Sequence, residues 1–172
     1  MRPVVPDDPA RLRAWRDATL YRLMLRASEA ERRETLSRLR QRGYRDVTGT
    51  DTALLANLDT ADTSISALAR RCGVTRQAAS QQLALLSQKG YVSREPDPAD
   101  SRAILVRRTA KGHLLMRDAL EIVAEIEAEY ARLLGARRLA ALKELLADLV
   151  GHADPGGTLG GDLPVATRSG PG

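Results

Sequence analysis

The chain has 172 residues, of which 43% are hydrophobic and 28% charged, and its formal net charge is +5 at pH 7. This composition is ordinary for a soluble globular protein, and the length fits one domain with a substantial core. No apolar run approaches the roughly 18 residues that span a bilayer, and the start, MRPVVPDDPA, lacks an apolar signal segment. The single cysteine excludes an internal disulfide bond. We therefore expect a cytoplasmic protein without a membrane partner.

The basic excess is concentrated in the middle of the chain. Residues 64–109 contain eight basic and three acidic residues, and their net charge of +5 equals that of the whole chain. A localised basic surface on an otherwise neutral protein is typical of binding to a polyanion such as DNA. A solvated face of chance composition is the alternative.

Helical patterns dominate the N-terminal part. A first helix is predicted for residues 9–26, because proline suits a first helical turn and Asp7 and Asp8 suit the positive end of the helix dipole. SEAE, which begins at Ser28, is a capping-box pattern and predicts a second helix over residues 28–42. TDTALLANL predicts a third, short helix.

The next segment has the outline of a helix-turn-helix. SISALARRC predicts a helix that ends at Gly73, with Ile65, Leu68 and Ala69 at helical spacing. TRQAASQQLALLSQKG follows, with Thr75 as its N-cap. Two helices joined by a glycine turn are the arrangement with which many proteins enter the major groove of DNA.

The second of these helices has two different faces. Ala79, Leu83 and Leu86 fall on one side of the helix. The opposite side carries short or hydrogen-bonding side chains and almost no acid: Arg76, Gln77, Ser80, Gln81 and Ala84. In a major groove, arginine reads guanine edges, glutamine reads adenine edges, and small residues allow a close approach. Any surface helix also has a polar outer face, so this face alone does not establish DNA binding. The segment that follows the helix supplies further evidence.

A charged hairpin follows directly. YVSRE (residues 91–95) and AILVRR (residues 103–108) have the β-branched content of strands. Pro96 and Pro98 exclude regular structure between them, so the hairpin has a stiff, charged tip. A helix-turn-helix followed by such a hairpin strongly favours DNA binding.

Residues 65–112 resemble the winged helix-turn-helix of the MarR family of bacterial transcriptional regulators. The resemblance rests on D-P-x-D-x-R between G-Y-V and a strand that leads to T-x-x-G, and here this motif is Asp97, Pro98, Asp100 and Arg102. The flanking helices fit the family in order and length, so the resemblance covers about residues 9–150. Gln82 departs from the family, which more often has an apolar residue at this inner position.

The resemblance implies a mainly α fold, with a winged helix-turn-helix, a two-stranded β-wing and a dimerisation region formed by N- and C-terminal helices. The dimerisation helices are expected in residues 9–45 and 110–150, and the winged domain in residues 46–109. Residues 151–172 are rich in glycine and proline, which predicts a disordered tail. The expected contacts to double-stranded DNA are Thr75, Arg76, Gln77, Ser80, Gln81, Arg94 and Arg102.

The wing has its own expected chemistry. In the family the arginine matched by Arg102 enters the minor groove, where narrow A·T-rich tracts concentrate negative potential. Asp100 is placed to hold this guanidinium before DNA arrives. Asp97 and Asp100 also suit a simpler role as caps of the turn, and both roles are compatible.

The C-terminal helices predict a homodimer. Thr109 begins a long helix that Gly135 breaks, and RRLAALKELLADLV then carries one apolar stripe: Leu139, Leu142, Leu145, Leu146 and Leu149. A small winged domain cannot cover this surface, and the family buries it against the N-terminal helix of a second subunit. We expect a two-fold dimer whose recognition helices lie roughly 34 Å apart on a palindromic site. An intramolecular bundle is the alternative.

A small-molecule effector is a further expected partner. Many members of the family are repressors released by a ligand that binds between the dimer helices and the winged domain. Five larger or polarizable residues would border that cleft: Trp15, Tyr21, Met24, Tyr44 and His113. Each of them is also explained by an ordinary place in the core.

Several other functions are not expected. A peroxide sensor needs an exposed, low-pKa thiolate, whereas Cys72 lies in the last turn of its helix, where the family usually has a core leucine. His113 and His152 are far apart and have no ligand cluster around them, so we expect no metal and no other cofactor. No catalytic motif is present, which argues against an enzyme. The remaining alternative is a helical interaction module whose winged domain binds a protein partner.

Overall fold

The computed structural model describes residues 5–59, 62–98 and 104–154, which are mainly helical with a small antiparallel sheet. This is the predicted fold class. The elements in chain order are α1 (Pro9–Asp17), α2 (Leu20–Gln41), α3 (Gly49–Ala56), β1 (Thr63–Ser64), α4 (Ile65–Arg71), α5 (Arg76–Gln88), β2 (Val92–Pro96), β3 (Ile104–Arg108), α6 (Ala110–Leu134) and α7 (Ala136–Ala153).

The division between the first two helices differs from the prediction. The helix predicted over residues 9–26 is interrupted near Thr19, whose hydroxyl oxygen accepts a hydrogen bond from the Arg22 amide (3.3 Å) as the N-cap of α2. The predicted helix start at Ser28 is wrong, because Ser28 lies inside α2 and its hydroxyl donates to the Leu25 carbonyl (3.0 Å). A serine that bonds back to the preceding turn leaves the helix continuous.

The sheet has three strands in the order β1-β3-β2, all antiparallel. β2 and β3 form the predicted hairpin, with Val92 opposite Arg108 and Pro96 opposite Ile104. β1 was not predicted, since two residues carry no periodic signal. It pairs Thr63 with Val106 on the other side of β3, so the hairpin is attached to the chain that leads into α4.

One hydrophobic core joins the winged helix-turn-helix to α2 and α6. Fully buried side chains of this core come from five helices, the hairpin and the turn before it: Leu39 of α2, Leu55 of α3, Leu68 of α4, Leu83 and Leu86 of α5, Tyr91, Val106 of β3, and Leu115 and Ile122 of α6. Burial of such side chains is the main stabilising contribution to a fold of this size. The core therefore fixes α5 and the hairpin against the long helix α6.

Gly112 explains the T-x-x-G sequence that follows the wing. A Cβ atom at this position would lie 2.1 Å from the Tyr91 carbonyl oxygen, which is well inside contact distance. Thr109 caps α6 and also binds the same turn, because its amide donates to the Tyr91 carbonyl (3.1 Å) and its hydroxyl to the Gly90 carbonyl (2.7 Å). The start of α6 can pack against the end of α5 only because residue 112 has no side chain.

The outer helices are much less buried. No residue of α1 or α7 is fully buried. Large apolar side chains are exposed along α1, the first half of α2, the end of α6 and α7: Leu12, Trp15, Leu20, Tyr21, Leu23, Met24, Leu25, Leu133, Leu134, Leu142, Leu145, Leu149 and Val150. None of the helices described is long and apolar enough to cross a membrane.

The C-terminal end of the chain differs in part from the prediction. α7 continues to Ala153, so the first three residues of the predicted tail, 151–153, are helical rather than irregular. The rest of that predicted tail from residue 155 onward lies outside the described residues.

Candidate nucleic-acid interface

The helix predicted to enter DNA is α5, and its two faces lie as the sequence indicates. The Thr75 hydroxyl caps it by accepting a hydrogen bond from the Ala78 amide (3.1 Å). The inner face is buried, with Ala79, Leu83 and Leu86 at 1% exposure or less. On the outer face, Thr75, Arg76, Gln77 and Gln81 are exposed, and Ser80 and Ala84 are half-buried. The result is an exposed face with a cation and two amides and without an acid.

The unusual residue Gln82 has a buried polar partner. Its side-chain amide donates to Asp51 Oδ1 (2.7 Å), and Lys89 Nζ lies 2.7 Å from Asp51 Oδ2. Asp51 is completely buried and also closes a capping box with Thr48 at the start of α3. The Gln82 side chain therefore points inward and is held by a hydrogen bond, at a position where the family more often has an apolar contact. The T-x-x-D spacing of Thr48 and Asp51 is the sequence signal that could have revealed Asp51.

Several cations of the basic segment are already paired. Arg71 binds Asp59 (2.8 Å), Arg107 binds both oxygens of Asp62 (2.5 and 2.7 Å), and Lys89 binds Asp51. Arg108 donates to main-chain carbonyls of residues 55, 58 and 59. The acids come from residues 51–62, just before the segment whose charge was counted. The count of eight basic residues therefore overstates the charge that this surface offers to DNA.

The cations that remain lie on α4, α5 and β2. Arg70 and Arg76 are exposed, and neither has a hydrogen-bond or ion-pair partner within residues 5–59, 62–98 and 104–154. Arg94 on β2 is half-buried, and its Nε has no hydrogen-bond partner there. Arg70 was not among the predicted contacts. Its position in the last turn of α4 gave it no distinguishing pattern, and only its exposure next to α5 identifies it.

The tip of the wing is described only in part. Asp97 follows directly after β2 and is half-buried. Asp100 and Arg102 lie outside the described residues. The minor-groove role of Arg102 and the support from Asp97 and Asp100 stay predictions.

The five residues predicted for a ligand cleft lie on α1, on α2, in the loop after α2 and on α6. Trp15, Tyr21 and Met24 are exposed on α1 and α2, and His113 is exposed in the first turn of α6. Tyr44 packs against the core, where its hydroxyl donates to Asp118. Burial and this hydrogen bond raise the pKa of Tyr44 to about 12, so the hydroxyl stays protonated. The ligand site stays a prediction.

An open cavity lies instead between α2 and α3. Its volume is about 280 Å³, and it contains none of the five predicted residues. The lining residues are Ser28, Glu31, Arg32, Thr35, Leu36 and Thr52.

Cys72 and the histidines offer little reactive chemistry. Cys72 is half-buried at the end of α4 and packs against the core. Burial raises the pKa of this thiol in spite of the neighbouring Arg71, so it is a poor nucleophile at neutral pH. Within the part of the chain that the structure describes, no three His, Cys, Asp or Glu side chains are close enough together to hold a metal ion.

A family model described as the MarR family matches residues 45–103, which begin after α2 and end just before β3 in the sequence. The segment that holds the candidate interface therefore resembles the MarR family of transcriptional regulators. The matched segment contains α3, β1, α4, α5 and β2, which are the elements that hold and surround the candidate interface. The comparison with curated proteins finds no match.

Solved structures show the same fold over most of the chain. Apo MarR from E. coli is 25% identical with a TM-score of 0.66, and the match covers 77% of this chain and 96% of that one. A cysteine-to-serine variant of E. coli MarR in complex with operator DNA is 26% identical with a TM-score of 0.64 and coverages of 76% and 93%. NadR in complex with 4-hydroxyphenylacetate is 23% identical with a TM-score of 0.61 and coverages of 86% and 97%. At that lower identity, NadR supports the fold alone.

Proposed function

We propose that this regulator binds double-stranded DNA in a sequence-specific way, with α5 in the major groove and the wing in the adjacent minor groove. The observation that carries the proposal is the exposed face of α5, where Arg76, Gln77 and Gln81 project from a helix whose other side is packed into the core. Such side chains can form paired hydrogen bonds with guanine and adenine edges. The variant MarR solved with operator DNA has a similar fold, which supports DNA binding by this chain.

The remaining predicted contacts fit around this helix. Thr75 and Ser80 would contact phosphates or base edges near the N-terminus of α5, where the helix dipole favours an anion. Arg94 and Arg102 would contact DNA from the wing. Arg70, exposed and without a partner among the described residues, is a further phosphate contact.

We propose that the regulator acts as a homodimer on a palindromic site. The exposed apolar side chains of α1, α7 and the first half of α2 support this assembly, because so many large apolar side chains are rarely left in water. A two-fold axis through these helices would present two α5 helices to one face of the duplex. The two half-sites would then be about one helical turn apart.

We also propose that the protein is a repressor released by a small-molecule effector, in the cytoplasm and without catalytic activity, metal or other cofactor. Trp15, Tyr21 and Met24 belong to the same exposed apolar surface as the proposed dimer contacts. In the dimer this surface would face Tyr44 and His113 across a cleft, which would bring the five predicted residues together. NadR, whose fold is similar, was solved with the small aromatic acid 4-hydroxyphenylacetate.

Enrichment of duplexes from a random-sequence pool tests the proposal and identifies the operator in the same experiment. The wild-type protein is bound to the pool at near-physiological salt, and the retained duplexes are amplified and sequenced over several rounds. A palindromic motif with half-sites about ten base pairs apart is expected. The absence of any enriched motif, with retention that disappears as salt is raised, would contradict sequence-specific binding and favour a basic surface with another use.

A further inference from the structure

A single buried carboxylate holds α5 at two points. Asp51 lies at the start of α3 and has 0% exposure. Its Oδ1 accepts a hydrogen bond from Gln82 Nε2, and its Oδ2 accepts one from Lys89 Nζ, both at 2.7 Å. Gln82 lies in the middle of α5, and Lys89 is the residue that ends it.

The carboxylate is itself held rigidly. Asp51 Oδ2 also accepts hydrogen bonds from the amide and the hydroxyl of Thr48, both at 2.9 Å, and the Thr48 hydroxyl oxygen accepts from the Asp51 amide (3.2 Å). These bonds fix the first turn of α3, and Leu54 and Leu55 anchor that helix in the core. Asp51 therefore acts as a fixed point rather than as a mobile side chain.

The two attachment points restrict a specific motion of α5. Gln82 and Lys89 are seven residues apart, which is about two turns, so both lie on nearly the same side of the helix. The apolar contacts of Leu83 and Leu86 hold the helix against the core but tolerate small rotations, since hydrophobic contacts are non-directional. Charge-assisted hydrogen bonds at two points are directional, so α5 cannot rotate about its axis or slide along it without breaking one of them.

We propose that Asp51 is a positioning residue for base recognition: through Gln82 and Lys89 it sets the rotation of α5 that aims Arg76, Gln77 and Gln81 at base edges. This inference rests on the proposed DNA-binding function. Base readout requires side chains placed to within about 0.5 Å, whereas contacts to phosphates tolerate more displacement. Loss of the hydrogen bonds from Gln82 and Lys89 to Asp51 should therefore reduce discrimination between sequences more than it reduces binding to DNA in general.

The test compares two duplexes by fluorescence anisotropy: one enriched from a random pool by the wild-type protein, and the same duplex with its sequence scrambled. The variants are Asp51→Asn and Gln82→Leu. The ratio of the dissociation constants, scrambled to enriched, should fall by about tenfold or more in both variants. The slope of log affinity against log salt should stay as in the wild type, since no phosphate contact is removed. A merely structural role would not lower the ratio at unchanged slope in a folded protein.

Gln82→Leu separates positioning from folding. Leucine of similar size can pack at the inner position and Lys89 still neutralises Asp51, so the variant should fold with a modest loss of melting temperature from the unpaired Oδ1, while the ratio falls. Asp51→Asn leaves Lys89 without its anion, and if this variant does not fold, Gln82→Leu alone decides. Asp118→Asn is the matched control, because it weakens another carboxylate hydrogen bond, from Tyr44, that does not touch α5. Its ratio should equal that of the wild type.

The possible failures are distinguishable. If the wild-type protein enriches no duplex and shows no preference, the proposed function fails and the positioning role falls with it. If the wild type and folded Gln82→Leu distinguish the enriched duplex from the scrambled one equally well, the proposed function stands and the positioning role of Asp51 is overturned.

Discussion

The winged helix-turn-helix and the outer helices differ in how completely a single chain satisfies them. In the winged unit, apolar side chains are buried and several of the cations around α5 have defined partners, such as Asp51, Asp59 and Asp62. Along α1 and α7 no residue is fully buried, and large apolar side chains remain exposed. The described part of the first region buries its apolar side chains within one chain, whereas the second leaves apolar side chains exposed, which the proposed dimer would bury.

Exposed ion pairs and exposed apolar side chains contribute differently to the two regions. α2 and α6 are tied to each other by ion pairs, in which Arg38 binds Glu129 (2.9 Å) and Arg42 binds Glu125 (2.6 Å) and Glu121 (3.0 Å). These exposed pairs orient the two helices but contribute little free energy. The apolar surface beyond them can contribute much more once it is buried. Folding of the winged unit and assembly of the dimer should therefore respond to different substitutions.

The largest effect is expected from charges on the apolar stripe of α7. Leu142→Glu combined with Leu149→Glu should convert the dimer to a monomer, because two carboxylates cannot be buried in the interface without partners. DNA affinity should fall by about 100-fold as two-point binding is lost. Light scattering reports the oligomeric state and anisotropy the affinity.

Ala140→Glu combined with Ala147→Glu is the matched control for these charges. Both alanines are exposed and lie on the opposite side of α7. This variant should remain a dimer. A monomeric wild type would contradict the proposed dimer. The same oligomeric state and DNA affinity in both double variants would contradict a dimer interface on the apolar stripe of α7.

A substitution inside the winged unit should affect stability rather than assembly. Gly112→Ala places a Cβ atom 2.1 Å from the Tyr91 carbonyl oxygen, so α6 must shift away from the end of α5. Overpacking of this kind costs about 1–3 kcal/mol of unfolding free energy. Urea unfolding monitored by circular dichroism measures the loss. Gly151→Ala in α7 is the control, since nothing lies within 4 Å of the new Cβ atom, and it should stabilise the protein slightly through helix propensity.

The paired and unpaired cations near α5 should differ in their importance for DNA. Arg76→Ala should weaken binding to the enriched duplex by about tenfold, because this side chain is exposed and without a partner among the described residues. Arg107→Ala should change the affinity less than about threefold, since its Nε and Nη2 already donate to Asp62. Anisotropy at several salt concentrations measures both. Equal losses would show that the Asp62 pair opens on DNA and that the pairing in the free protein does not predict the contacts.

The smallest effect is expected in the acid range. Burial favours a raised pKa for Asp51, but hydrogen bonds from Lys89, Thr48 and Gln82 outweigh it and hold the pKa below its usual 3.8. The stabilisation is therefore present above pH 3.8 and is lost as the pH falls through the lower pKa of the folded state. The urea midpoint of the wild type should decline in that range more steeply than that of Asp51→Asn. Parallel curves would contradict an ionised Asp51 in the folded protein.

Local patterns were predicted well from the sequence, and long-range pairings were not. The Thr75 cap, the buried stripe of α5 and the turn after Gly73 depend on neighbouring residues, so periodicity and capping chemistry were sufficient. The same rules placed a helix start at Ser28, because a capping-box pattern also occurs inside a continuous helix when the serine bonds to the preceding turn. The helix-turn-helix and the hairpin followed from these local patterns, and the fold class followed from the family resemblance of this segment.

The interface could be predicted only in outline. The outer face of α5 follows from helical spacing. The partners of Arg71, Lys89 and Arg107 are 12 to 45 residues away along the chain, and no periodic pattern connects them. For the same reason, the central charge excess did not reveal which cations are exposed and unpaired.

The most direct test of the account is a titration of the wild-type protein onto two fluorescent duplexes, one with the enriched palindrome and one in which a single half-site is scrambled. If a complete winged unit is presented in pairs by the outer helices, the altered duplex should bind about 100-fold more weakly at the same salt concentration, because only one α5 helix finds its bases. Equal affinity for both duplexes would contradict paired, sequence-specific binding.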